Sequence, residues 1–79
     1  MYLCITGFLP DNFEDTSLKY ELAIDATFNN QIVQLLGHKI LSEMASGEWL
    51  LSADQVLQIA TLINEQIPSE LDIFIGVEA

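Results

Sequence analysis

Carboxylates dominate the reactive side chains of this sequence, and their densest cluster is Asp11, Glu14 and Asp15. Such a cluster can bind Ca²⁺ or Mg²⁺ through oxygen ligands, supply an acid/base pair, or meet a basic partner. It lacks the Asp-x-Asp-x-Asp-Gly order of an EF-hand calcium loop. We therefore expect no metal ion here and interpret the cluster as a loop contacted by solvent or by a basic protein.

The remaining reactive groups are a single cysteine, Cys4, and a single histidine, His38. A structural zinc site normally needs four such ligands, so these two residues exclude one. A nucleophilic pair would require Cys4, on a predicted strand, to meet His38, on the polar stripe of a predicted helix. The four glycines are scattered and form no phosphate-binding loop. The sequence therefore predicts a non-catalytic protein without a cofactor.

The charge balance limits the kinds of partner. Two Lys plus Arg stand against twelve Asp plus Glu, which gives a formal net charge of −10. Two cations cannot neutralise many phosphates, so the sequence argues against nucleic acid and, by the same repulsion, against an anionic membrane. A basic protein is the partner that this charge attracts.

Size and composition indicate one folded domain over residues 1–79. Hydrophobic residues make up 51% of the 79 positions, which excludes an acidic disordered chain. A lone cysteine, no recognisable secretion signal and no apolar run long enough to cross a bilayer predict a cytoplasmic protein.

Two strands are predicted near the start of the chain. Residues 2–9 are rich in strand formers and end at a turn signal, Pro10-Asp11-Asn12. Residues 18–25 alternate, with one apolar face formed by Leu18, Tyr20, Leu22 and Ile24. The pattern is typical of a hairpin with a loop over residues 10–17.

Two helices are predicted next. The first is predicted because apolar residues recur every four positions, at Phe28, Ile32, Leu36, Ile40 and Met44. It begins at Asp25 or Thr27 and ends near Ser46-Gly47, so that Gly37 lies in its interior. The second begins at Ser52, which forms a capping box with Gln55, and ends before Pro68.

Residues 71–77 alternate again and predict the last strand. The order β-β-α-α-β indicates a small two-layer α+β domain, with an antiparallel or mixed sheet of three strands packed against two helices. Residues 48–51 are either a fourth strand or a helix connection. Tyr2, Phe8 and Phe74 fall on the sheet face away from the helices, where they suggest an apolar interface. Trp49 is either a further partner anchor or, as we favour, a lid over the core.

The stretch Asp15-Thr16-Ser17-Leu18 resembles the Asp-Ser-Leu motif with which acyl carrier proteins present a serine to a phosphopantetheine arm. Thr16 separates Asp15 from Ser17, so the motif is interrupted, and the resemblance covers only these few residues. Carrier proteins are all-helical, whereas residues 2–9 predict a strand.

Three functions remain. The favoured one is a small acidic binding module that inhibits, neutralises or escorts a basic partner, as immunity proteins, nuclease inhibitors and nucleic-acid mimics do. Its predicted contacts are Asp11, Glu14, Asp15, Glu21 and Asp72. The alternative is a structural or regulatory module that forms a homodimer through the aromatic sheet face. A metal- or carrier-type domain is the third.

The loop cluster gives a first prediction. Replacing Asp11, Glu14 and Asp15 together by Asn, Gln and Asn is expected to slow association with a basic partner and to flatten the salt dependence of the association rate. The reason is that surface charges accelerate the encounter with an oppositely charged protein, and dissolved salt screens this attraction. Stopped-flow association rates at low and moderate salt measure both effects. An unchanged rate and salt slope would show that the loop is not a contact surface.

Overall fold

The computed structural model of the chain describes residues 1–10, 17–38 and 41–79. Four antiparallel strands form one sheet in the order β2-β1-β4-β3. The strands are β1 (Tyr2–Phe8), β2 (Tyr20–Ala23), β3 (Glu48–Leu50) and β4 (Asp72–Glu78), and the helices are α1 (Asn29–Leu35) and α2 (Ala53–Ile63). Two 3₁₀ turns, Ala26–Phe28 and Leu41–Met44, complete the described elements. The predicted α+β fold is confirmed, and β3 is its fourth strand.

The central pair of the sheet joins the two ends of the described chain. Strands β1 and β4 pair along seven residues, from Tyr2 opposite Glu78 to Phe8 opposite Asp72. Strand β2 pairs with β1 as the predicted hairpin, although it is shorter than the alternating segment 18–25. The Ile24 amide still donates to the Leu3 carbonyl at 2.8 Å, so backbone pairing continues beyond the strand.

One face of the sheet and the helical segments of the described residues form the core. The alternate residues Leu3, Ile5, Ile73 and Ile75 are buried there, as the period of two in the sequence predicts. They share this core with residues from α1, α2 and the second 3₁₀ turn: Ile32, Val33, Met44 and Ile59. Every described helical segment therefore lies on the same side of the sheet.

The prediction of a single first helix ending near Ser46-Gly47 is wrong. Helix α1 ends at Leu35, and Gly37 takes a left-handed conformation with φ 84°. The Gly37 amide donates to the Gln34 carbonyl and the His38 amide to the Val33 carbonyl, both at 3.0 Å. These two bonds form a Schellman motif, in which glycine is favoured because it has no Cβ. Gly37 thus terminates the helix instead of interrupting its interior.

Helix α2 confirms the predicted start and corrects the predicted end. The Ser52 hydroxyl accepts from the Gln55 amide at 3.2 Å, and the Gln55 side chain accepts from the Ser52 amide at 2.9 Å. The helix ends at Ile63 because Asn64 is left-handed, with φ 57°, so the chain leaves the helix before Pro68 is reached. Ile67 packs against the core from outside the helix.

The role of Gly37 generates a prediction about stability. Gly37→Ala is expected to lower the free energy of unfolding by about 1 kcal/mol, because an L-residue is strained in the left-handed region. Gly47 has no positive φ and open space around its Cα, so Gly47→Ala is expected to be neutral or slightly stabilising. Urea unfolding measures both. A stabilising Gly37→Ala would place Gly37 inside a helix and contradict the motif.

Candidate functional site

The sheet has a second face, from which all described helical segments are absent because they pack into the core on the other side. The strand register determines which residues share this face. We call it the outer face, and its members are Tyr2, Cys4, Thr6, Phe8, Glu21, Ala23, Glu48, Leu50, Asp72, Phe74, Gly76 and Glu78. None of these twelve strand residues is a lysine or arginine.

An apolar strip crosses the middle of the outer face. The Phe8 and Phe74 rings pack edge to face, with centroids 5.9 Å apart and planes at 75°. Leu50 lies opposite Phe74 on the neighbouring strand, and 63% of its surface is exposed. On the other side of Phe74 lies Thr6, whose buried hydroxyl oxygen has no hydrogen-bond partner among the described residues. The strip, with Leu50 exposed and the other three residues half-buried, is therefore a partly exposed apolar surface built on the two central strands and one edge strand.

Carboxylates surround Cys4 on the same face. Cys4 lies between two small residues, Ala23 on β2 and Gly76 on β4. Glu48 on β3 lies opposite Gly76, on the side away from Cys4. A Cβ built on Gly76 would come within 3.2 Å of the Glu48 Cγ, so the stem of Glu48 crosses the glycine toward the cysteine. The absence of a side chain at position 76 is what permits this approach.

The pKa of the Cys4 thiol is raised in this environment. Burial of Cys4, which is 8% exposed, raises the pKa of its thiol, and repulsion by Glu21, Glu78 and Glu48 raises this pKa further. Three carboxylates from three different strands thus act on one point of the outer face. The thiol is protonated at neutral pH and is a poor nucleophile.

The partner-binding residues predicted from the sequence fall into two groups. Glu21 and Asp72 both lie on the outer face, Glu21 opposite Thr6 and Asp72 opposite Phe8. The loop acids Asp11, Glu14 and Asp15 lie outside the described residues.

Sequence reasoning omitted two acids from that predicted set, Glu48 and Glu78. The signal for Glu78 was its place in the alternation of the last strand. Glu48 gave no comparable signal, because β3 is only three residues long and its pairing with β4 depends on distant residues.

The predicted aromatic interface is divided between the two sides of the sheet. Tyr2, Phe8 and Phe74 share the outer face, whereas Trp49 points to the helix side because it alternates with its neighbours in β3. The Trp49 ring packs on His38, with centroids 5.2 Å apart. Cys4 and His38 are therefore on opposite sides of the sheet and do not form a nucleophilic pair.

Apart from the outer face, a cleft lies at the C-terminal end of α2. This open cleft of about 660 Å³ includes Leu57, Glu65 and Glu70 in its lining. The Tyr20 hydroxyl at its wall donates to the Gln66 carbonyl at 3.4 Å, and burial together with Glu65 raises the pKa of Tyr20. The hydroxyl is engaged in the fold and is protonated at neutral pH.

Within residues 1–10, 17–38 and 41–79, no three His, Cys, Asp or Glu side chains converge in a way that would hold a metal ion. None of the helices there combines the length and the apolar character needed to cross a bilayer.

Comparison of the chain with protein-family models, with curated proteins and with solved structures finds no match.

The acids around Cys4 generate a prediction about its reactivity. In the folded protein, alkylation of Cys4 by iodoacetamide is expected to be slow at neutral pH and to accelerate only above the ordinary thiol pKa. Replacing Glu21, Glu48 and Glu78 by Gln is expected to lower the midpoint of this pH profile, although burial, the larger cause, still holds it above that of the unfolded chain.

The same shift predicts how stability depends on pH. Because the folded-state pKa of Cys4 is raised, the thiol contributes stability below the pKa of the unfolded chain, and this contribution is lost as pH rises through the folded value. Cys4→Ala should remove that alkaline loss. An alkylation profile of the native protein that matches the unfolded chain would contradict both expectations.

Proposed function

We propose that this protein is a small non-catalytic binding module whose outer face docks on a basic partner protein and so inhibits, neutralises or escorts it. The observation that carries this proposal is the combination, on one sheet face free of described helices, of a partly exposed apolar strip and carboxylates from three of the four strands.

The apolar strip supplies affinity in this arrangement. Aromatic side chains are enriched among the residues that dominate interface energies, and the Phe8 and Phe74 rings already pack on each other in the chain without a partner. Leu50 exposes most of its surface, and burying a leucine fully is worth about 1.5–3 kcal/mol. A partner that covers the strip therefore removes apolar surface from water at little cost in ordering.

The carboxylates supply selectivity for a basic surface. Glu21 on β2 and Glu48 on β3 flank the strip at the two sheet edges, and Glu78 and Asp72 lie toward the two ends of β4. A polar rim around an apolar centre is the usual anatomy of a protein interface. With a net charge of −10, the chain also attracts a cationic protein over a distance, which raises the association rate at low salt.

A second copy of the chain fits the outer face less well than a basic protein does. A two-fold dimer presents the same patch from both copies, so the outer-face carboxylates of one copy would meet those of the other. Like charges in one interface cost several kcal/mol unless they are paired. Homodimerisation is accordingly the alternative that the experiment below also detects.

Two charge variants test the proposal. The first replaces the outer-face residues Glu21, Glu48 and Glu78 by Gln, and the second replaces Asp54, Glu65 and Glu70, which lie away from that face, by Asn, Gln and Gln. Each loses three carboxylates, so both carry −7 instead of −10. A basic protein captured from lysate by the native chain and then purified should keep its affinity for the second variant and lose at least about tenfold with the first.

A matched pair of leucines tests the apolar strip separately. Leu50 on the outer face and Leu57 on α2 are similarly exposed, at 63% and 67%. Leu50→Ser is expected to weaken binding of the same purified partner by about tenfold or more, because it removes a contact from the strip. Leu57→Ser is expected to leave the affinity unchanged.

Other outcomes overturn the proposal. Equal losses in the two charge variants would mean that net charge, and not the outer face, governs binding. A native chain that is a dimer in light scattering at both low and high salt, and that captures no basic protein, would favour the self-associating module.

A further inference from the structure

We infer that the free edge of β3 binds an extended segment of the partner, which joins the sheet as a fifth strand. This inference rests on the proposed function and specifies how the partner engages the outer face. An antiparallel strand fits this edge, with a lysine or arginine opposite Glu48 and apolar residues opposite Trp49 and Leu50.

The backbone of β3 presents unpaired groups along this edge. The Leu51 amide donates to the Ile73 carbonyl at 2.8 Å, which fixes the alternation of the β3–β4 hydrogen bonds. The amide and carbonyl groups of Trp49 therefore point toward β4, and those of Glu48 and Leu50 point away from it. No backbone hydrogen bond to these four outward groups is found within the described residues. Such a row of donors and acceptors is a template for a further strand.

The side chains of β3 favour a partner strand with an apolar character. Trp49 and Leu50 are adjacent, and both belong to the few large hydrophobic side chains that the described residues expose. A strand added here would cover Leu50 on the outer face and Trp49 on the helix side, because neighbouring residues alternate. The row Thr6–Phe74–Leu50 would then continue into the partner.

A cavity beside the same edge adds a second apolar contact. It has a volume of about 260 Å³, large enough for one side chain, and its lining includes Leu50, Leu51, Val56 and Leu71. It lies where β3 ends, so an apolar residue that precedes the three paired residues of an antiparallel strand would lie next to it. The expected partner segment, from its N-terminus, is therefore three apolar residues followed by a basic one.

The opposite edge of the sheet lacks these features. By the same alternation, the outward backbone groups of β2 belong to Glu21 and Ala23, since the Ile24 amide pairs with the Leu3 carbonyl. Their side chains offer a carboxylate and a methyl group, with little apolar surface to bury. Glutamates at both edges also disfavour edge-to-edge pairing of two copies of this chain.

A capped peptide, acetyl-Thr-Leu-Val-Val-Lys-Thr-amide, is the probe for this inference. Its first Val would lie opposite Leu50, its second Val opposite Trp49 and its Lys opposite Glu48. In NMR titrations, the amide resonances of Glu48 and Leu50 are expected to shift most. N-methylation of the first Val and the Lys, whose amides would donate to β3, should weaken binding by at least about tenfold. N-methylation of the second Val, whose amide points away, should leave binding nearly unchanged.

The matched control in the protein compares the two edge glutamates. Glu48→Gln is expected to abolish the preference for the lysine peptide over its norleucine counterpart, and Glu21→Gln to retain it. Equal effects of the two methylation patterns, or shifts centred on β2 or α2, would overturn the inference.

The two proposals fail in different ways. Suppose the purified basic partner loses affinity only for the outer-face charge variant, while N-methylation at either set of positions changes the affinity of the peptide equally. The edge inference is then wrong, and the outer face remains the docking surface. If the methylation pattern holds and no basic protein distinguishes the variants, β3 accepts strands but the proposed function is wrong.

Discussion

One-sided burial of the β1–β4 pair is the constraint on which the rest of the structure depends. These strands pair along their whole length, and all described helical segments pack on the face that carries Leu3, Ile5, Ile73 and Ile75. In a chain this short, the apolar side chains of the helices suffice to cover one face of a four-stranded sheet. The other face is left without a described helix, and the strict alternation of strand residues decides what it presents.

The composition of the outer face follows from that alternation. Each inward aliphatic residue forces its neighbour outward, so Cys4 and Thr6 lie on the outer face because Leu3 and Ile5 lie in the core. The same rule brings Glu21, Glu48 and Glu78, which are distant in sequence, around one cysteine. A chain selected only for solubility has no need to collect carboxylates around a partly exposed apolar strip. A docking surface for a basic protein needs both, which is why we favour that function over self-association.

Local signals in the sequence predicted which helices and strands form better than they predicted where the helices end or which strands pair. The capping box of Ser52 and Gln55 involves residues three positions apart, so it can be recognised from the sequence alone. The ends of α1 and α2 depend on left-handed residues, Gly37 and Asn64, and the recurrence of apolar residues every four positions continues past both. The approach of Glu48 to Cys4 depends on the pairing of β3 with β4, which no local pattern contains.

Docking of a basic protein on the outer face is tested most directly by cross-saturation NMR of the complex between the labelled chain and its purified partner. Saturation of the partner's protons is expected to transfer to the amides of Thr6, Phe74 and Leu50 and to leave the C-terminal half of α2, from Leu57 onward, unaffected. Transfer centred on Leu57 and the cleft beside α2, with the outer face unaffected, would contradict the proposal.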